Sequence, residues 1–175
     1  MTEVAAEERD SFLWSRLQRE KRPVALYGMG NGADKILEKC REYGVAVSAV
    51  FASDGFVRGQ SYRGYKVRTL SELEKELGDF VVLLGFATQR PEVMADIRTV
   101  AGRHALLVPD LPVCGVDILT PEGLMERRKE VESLKDLLAD DLSRRVLVDV
   151  LAYKLSGEPD FLWRCETPRQ EVFRE

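Results

Sequence analysis

Histidine is all but missing from this chain: His104 is the only one among 175 residues. A lone imidazole just ahead of a strand-like segment reads as structural or exposed rather than as a general base. No Ser/His/Asp set and no metal cluster is legible in the sequence. Cysteine is scarce as well. Cys40, Cys114 and Cys165 are odd in number, far apart and free of CxxC spacing. That fits neither a disulfide framework nor a zinc site, and reduced thiols are the plain reading. No apolar run approaches the roughly 20 residues of a membrane helix, and the acidic N-terminus lacks the basic and apolar regions of a signal peptide. A basic surplus is also absent. The 26 Lys and Arg against 30 Asp and Glu leave a net charge of −4, which argues against nucleic acid as a main partner. A cytoplasmic protein with neither membrane nor nucleic acid among its partners is expected. Neither an internal repeat nor a Walker sequence occurs.

What is present is organised around one stretch, Val24-Ala25-Leu26-Tyr27-Gly28-Met29-Gly30-Asn31-Gly32-Ala33. A short apolar strand runs into a glycine-rich turn, and a helical pattern follows at once. Gly28, Gly30 and Ala33 stand on the G-x-G-x-x-G/A spacing of a phosphate-cradling βα unit.

The chain in order supports a sheet around that unit. Positions 3–20 read as a helix, with Ala5, Phe12, Leu13 and Leu17 on one stripe and Pro23 as its stop. After the glycine turn, Ala33, Ile36, Leu37, Cys40 and Tyr43 form the apolar stripe of the next helix, which ends at Gly44. Val45 to Phe51 reads as a second strand covered on both faces. Ala52 to Gly64 is a glycine-bearing loop, and Tyr65-Lys66-Val67 a short strand. Thr69-x-x-Glu72 is a capping box for a helix that stops at Gly78. Phe80 to Phe86 is the most strand-like segment, and Pro91 opens a helix running to Gly102. Ala105 to Val108 is the next strand. Alternating strands and helices predict an α/β fold, a Rossmann-like doubly wound, mostly parallel sheet with the first strand central beside the Phe80 strand. Beyond a loop, Thr120 and Pro121 start a helical extension. Val131, Leu134, Leu138 and Leu142 form one amphipathic stripe, and a second helix spans Asp141 to Ser156 before Gly157. Such helices serve as a cap, a dimerisation element or a bridge to another domain. The apolar residues of the last stretch, Phe161 to Phe173, suggest a chain that continues into a larger protein.

The candidate ligand contacts lie along the carboxyl ends of the strands. Gly28 permits the tight turn, and Gly30 lets a phosphate approach the backbone. The N–H groups from Asn31 through Gly32 and Ala33 to Asp34 point at the positive end of a helix. The alternative is that these glycines serve only the turn and its packing. Ser53 and Asp54 follow the second strand about 25 residues beyond Gly28, where a ribose-binding acid tends to sit; an Asp-Gly turn explains them equally well. Arg58, Arg63, Lys66 and Arg68 suit a solvated loop better than a phosphate site. Thr88 and Gln89 follow the Phe80 strand at the predicted switch point, with a simple helix cap as the other role for Thr88. No catalytic residue and no metal ligand set emerges. Asp110 and Asp117 lie in a loop that can reach the same crevice.

Several motifs together resemble the N-terminal region of FkbM-type S-adenosylmethionine-dependent methyltransferases. They are Tyr27-Gly28-x-Gly30, Gly64-Tyr65-x-Val67, and Leu137-Leu138-Ala139-Asp140-Asp141-Leu142-Ser143. Tyr153-x-Leu155-Ser156-Gly157 and the closing Thr167-Pro168-Arg169-Gln170-Glu171-Val172-Phe173 fit as well. The resemblance implies an N-terminal helix (1–22), a Rossmann-like nucleotide-binding-type domain (23–118) and a helical linker (119–175) that leads into a downstream methyltransferase domain. The methyl-donor motif is expected beyond this segment, so S-adenosylmethionine belongs to the full-length parent. The segment itself is expected to bind a nucleotide-like or sugar-nucleotide ligand, or the methyl acceptor. Similar glycine turns in sugar acetyltransferases keep the ligand's identity open. Two further readings stand beside this one: an NAD(P)-binding oxidoreductase or redox sensor, and an interaction module that forms a homodimer through its C-terminal helices.

Overall fold

The structure, a computed structural model, describes residues 11–112 and 117–166. In chain order the first half runs α1 (Leu13–Arg19), β1 (Val24–Tyr27), α2 (Asn31–Glu42), β2 (Val47–Phe51), β3 (Ser61–Tyr62), β4 (Tyr65–Arg68) and α3 (Leu70–Leu77). Then come β5 (Val81–Leu84), α4 (Pro91–Ala101) and β6 (Ala105–Leu107). The remaining helices are α5 (Pro121–Glu126), α6 (Arg128–Leu137), α7 (Asp141–Ser156) and α8 (Pro159–Arg164). One six-stranded sheet has the order β3-β4-β2-β1-β5-β6. All its pairs are parallel except β3–β4. This is the Rossmann-like α/β architecture with C-terminal helices that the sequence pattern predicts, and β1 is central beside β5.

Side-chain alternation sorts the strands into two layers. Val24 and Leu26 of β1, Val50 of β2, and Val81 and Leu83 of β5 face one side, where Ala33, Ile36 and Cys40 of α2 cover them. Ala25 and Tyr27, Ala49 and Phe51, and Val82 and Leu84 face the other, against Leu73 of α3 and Ile97 and Val100 of α4. β1 and β5 are buried throughout because both faces are covered. The amino end of β2 departs from that expectation, since Ser48 is exposed and only Ala49 to Phe51 are buried.

The flanking helices share these layers. Phe12, Leu13, Trp14 and Leu17 around α1, and Leu155 of α7, join the α2 side, while Trp163 of α8 packs on the α4 side. Gly157, with φ +69, closes α7, and its carbonyl accepts the Val108 N–H at 2.7 Å. The chain thereby wraps the β6 edge, which would otherwise offer unpaired backbone groups. Arg16 of α1 meets Glu158 at 2.6 Å in the same region.

Local signals explain most boundaries. The Thr69 capping box forms in full and opens α3, and Pro91 occupies the first turn of α4. The helix expected over 3–20 appears as α1 within the described residues, while its first part falls outside them. The apolar stripe from Leu124 to Leu142 does not make one helix. Thr120 caps α5 through the Gly123 N–H, and a turn at Arg127 separates α5 from α6. Asp140 then caps α7 by accepting the Ser143 N–H at 2.6 Å. That cap needs Asp140 in an extended conformation (φ −141, ψ 165), which ends the preceding helix. α6 itself buries none of its residues.

Candidate functional site

The carboxyl ends of β1, β2 and β5 open on one edge of the sheet, the edge where open α/β sheets place ligands. Gly28 and Gly30 there have φ of +109 and +124, a backbone that only glycine adopts readily. Space is scarce around the turn. A Cβ at Gly28 would lie 2.5 Å from Cδ1 of Phe86, and one at Gly32 would lie 2.4 Å from the Gly85 carbonyl oxygen. A Cβ on Gly85 would in turn come within 3.0 Å of Ala33 Cβ. The small residues at 32, 33 and 85 therefore let α2 pack onto the exit of β5. Only around Gly30 is there open space, with nothing within 4 Å of a Cβ built there.

The chain supplies its own groups to this turn. Arg63 and Gly64, with φ of +50 and +89, form the tip of the β3–β4 hairpin, as a two-residue loop with both central angles positive does. The tip carries Tyr62 and Arg63 to the glycine turn. The Tyr62 hydroxyl accepts the Gly30 N–H at 3.2 Å and also contacts the Gly30 carbonyl oxygen at 2.9 Å. The same hydroxyl hydrogen-bonds the Asp34 carboxylate. Arg63 grips both oxygens of that carboxylate, Nε and one terminal nitrogen each at 2.7 Å. Hydrogen bonding from Arg63, then from Tyr62, holds the Asp34 carboxyl well below the usual range, at about 2. Asp34 lies in the first turn of α2, where negative charge is favourable. Its own N–H is bound to the Gly30 carbonyl at 2.9 Å, so it is not among the free donors expected there. A ligand phosphate would meet the Asp34–Arg63 pair at the helix end.

On the α3–α4 face of the sheet, beside the same edge, lies a cavity of about 420 Å³. Its floor holds Tyr27 and Phe51, whose rings stack at 4.5 Å between centroids. The Tyr27 hydroxyl and Ser53 Oγ are 2.7 Å apart. Burial raises the Tyr27 pKa, the Ser53 hydrogen bond opposes that, and Asp96 and Asp54 add to the rise. Around the wall stand Asp54, Ser71, Glu74, Asp96 and Arg103. The arrangement offers many hydrogen-bond acceptors and an excess of negative charge.

The residues singled out from sequence divide accordingly. Gly28, Gly30, Asn31, Gly32 and Ala33 form the turn; Asn31 and Gly32 are exposed, while Ala33 is fully buried against the strands. Ser53 and Asp54 line the cavity, with Asp54 opening a single 3-10 turn. Thr88 and Gln89 lie after β5 and do not line it; the Thr88 hydroxyl accepts the Arg90 N–H at 3.2 Å within the loop, and since Arg90 is the N-cap of α4 and no side chain caps that helix, Thr88 is not its cap. His104 is buried, stacked on Phe80 at 4.0 Å, with Nε2 3.2 Å from Glu74 Oε1. Arg63 is drawn to Asp34 and Arg68 to Glu76, while Asp110 pairs with Lys154. Sequence reasoning missed Phe86, Tyr62, Glu74 and Asp96. The Arg63-Gly64 turn between Tyr62 and Tyr65 was the available signal for the hairpin. Among the described residues, no group of three or more His, Cys, Asp or Glu is placed to hold a metal ion, and no helix is long and apolar enough to cross a membrane.

Fold and site define a Rossmann-like α/β protein with a polar cavity at the carboxyl edge of its sheet. No protein-family profile and no curated protein matches the sequence. Among solved structures, the methyltransferase FkbM from Methylobacillus flagellatus KT superposes with a TM-score of 0.60 at 18% identity, over 98% of this chain and 54% of that one. The likeness is one of fold, and this chain spans about half the length of that methyltransferase. RSP, a Rex-family repressor, matches 69% of this chain and 64% of its own at 19% identity, with a TM-score of 0.39. RSP in complex with β-NADH gives 67% and 64% at 21% identity, with a TM-score of 0.36. At such TM-scores the agreement carries no argument about ligand or activity.

Proposed function

We propose that this chain is a non-catalytic recognition domain of an S-adenosylmethionine-dependent methyltransferase. It holds a nucleotide-type or sugar-nucleotide ligand, or the methyl acceptor, at the carboxyl edge of its sheet. The methyl donor binds in a downstream domain of the parent. The observation that carries this reading is the extent of the FkbM superposition, which takes in 98% of this chain and 54% of that one. The exposed leucines Leu134 and Leu137 of α6 offer a surface for the downstream domain, or for a second copy of the chain. Calorimetry of the chain with S-adenosylmethionine is expected to give no saturable heat, and saturable binding would sink the division of labour. The alternative NAD(P) reading places a pyrophosphate at the end of α2, where Tyr62 already takes the Gly30 N–H and Asp34 already engages Arg63. Saturable enhancement of NADH fluorescence would favour that alternative instead.

A further inference from the structure

If the carboxyl edge is the recognition site of the proposed function, the cavity beside β1 narrows its ligand to the methyl acceptor, because the cavity's charge disfavours a nucleotide or sugar nucleotide. Three carboxylates line it, Asp54, Glu74 and Asp96, against the guanidinium of Arg103. Glu74 is already engaged: its Oε1 accepts from Arg103 at 3.3 Å and lies 3.2 Å from His104 Nε2. The Asp54 and Asp96 carboxylates have no hydrogen bond or ion pair among the described residues. They come from separate elements, the turn after β2 and helix α4, yet both act electrostatically on the Tyr27 hydroxyl. That hydroxyl and Ser53 Oγ form a partly buried pair of donors and acceptors at the cavity floor.

Two uncompensated carboxylates repel a phosphate and attract an ammonium group. Carboxylate and hydroxyl oxygens also accept from the hydroxyls of a polyol, with charge-assisted bonds the stronger ones. The volume, about 420 Å³, lies in the lower part of the range usual for small-molecule sites, about 300–1,000 Å³. We propose that this cavity binds an amine-bearing polyol, an amino sugar of monosaccharide size without phosphate. Its ammonium lies between Asp54 and Asp96, and its hydroxyls meet Tyr27 and Ser53.

Amide NMR of the 15N-labelled chain at pH 6.5, titrated with D-glucosamine, D-glucose and glucose 6-phosphate, tests this. Glucosamine is expected to shift the amides around Ser53, Asp54 and Asp96 saturably, with an affinity about tenfold above glucose. Glucose 6-phosphate is expected to leave them in place. Asp54→Asn and Asp96→Asn each weaken glucosamine about fivefold or more and leave glucose within about twofold, because only the ammonium loses its counter-charge. Both carboxylates are exposed and unpaired among the described residues, so these variants keep the fold, and the rest of each spectrum checks that. Glucose 6-phosphate binding as well as glucosamine, no saturable shift, or variants that bind glucosamine as the parent chain does would each overturn the proposal. A sugar nucleotide that shifts Gly30 to Gly32 while the cavity stays silent overturns it too, yet leaves the recognition role standing. Saturable binding of S-adenosylmethionine removes the role itself.

Discussion

Gly32→Ala sets helix propensity against packing, and the two give opposite signs. Gly32 lies in the first turn of α2 and is exposed, and alanine in place of glycine on an open helix stabilises by about 1 kcal/mol. The new Cβ, however, would stand 2.4 Å from the Gly85 carbonyl oxygen and 3.2 Å from its carbon. Those are backbone atoms, and the Gly85 N–H is held by the Tyr27 carbonyl at 2.9 Å, so the strand end has little freedom to move aside. α2 must lift from β5 instead, loosening the approach of Ala33 to Gly85. Overpacking of this kind costs about 1–3 kcal/mol, which outweighs the propensity gain in most of its range and leaves a net loss of up to about 2 kcal/mol. For a chain of this size that corresponds to a fall in Tm of up to about 8 °C. Thermal and urea unfolding followed by circular dichroism measures it. Asn31→Ala, in the same turn but already bearing a Cβ, is the control and stays within about 0.5 kcal/mol. Gly30→Ala separates the two causes: with open space but φ +124 and ψ −164, it loses about 1–3 kcal/mol from the backbone alone. A rise in Tm for Gly32→Ala would refute the claim that α2 and β5 are in close contact there.

The remaining predictions concern charge, reactivity and capping. Because Arg63 and Tyr62 depress the Asp34 carboxyl to about 2, its contribution to stability is complete above its ordinary pKa of about 4 and is lost as pH falls towards 2. Arg63→Gln returns Asp34 towards the ordinary value in a carboxyl-carbon NMR titration, and an unchanged titration would contradict the pairing. Burial pushes the Cys40 thiol up to about 12, so iodoacetamide at pH 8 spares Cys40 in the folded chain and labels it after denaturation. Mass spectrometry showing Cys40 labelled as fast as Cys165 would refute that burial. Thr69→Ala removes the side chain that accepts the Glu72 N–H and costs about 1 kcal/mol in urea unfolding.

Local order made the layers and most helix ends legible. β1 and β5 are continuous apolar runs, and caps such as Thr69, Pro91 and Gly157 act within a few residues of themselves. What completes the glycine turn is not local. Tyr62 reaches Gly30 across 32 positions and Arg63 reaches Asp34 across 29, and the Gly28-Gly30-Ala33 spacing is the same whether a phosphate or a tyrosine fills the place. Asp96 was equally hidden. On an amphipathic helix an exposed aspartate reads as part of the solvated face, and only the approach of α4 to the end of β2 puts it beside Tyr27 and Asp54. The split of the Leu124–Leu142 stripe escaped for another reason: the stripe supports helix everywhere, while the Asp140 cap breaks it at one point.

Asp34 decides how the opening motif is to be understood. In a dinucleotide turn the positive end of the helix faces the ligand's pyrophosphate. Here a carboxylate from within the first turn meets that same potential, and Arg63 then neutralises the carboxylate. The chain thus supplies its own partners here: Arg63 takes the Asp34 carboxylate and the Tyr62 hydroxyl takes the Gly30 N–H, so an incoming anion finds that donor and that guanidinium already engaged. The other face of β1 is in the opposite state. There Tyr27 points away from α2 into a cavity where the Asp54 and Asp96 carboxylates have no ion pair among the described residues. The proposed ligand accordingly brings positive charge and hydroxyls to the Tyr27 side, while the glycine turn holds α2 and β5 close together.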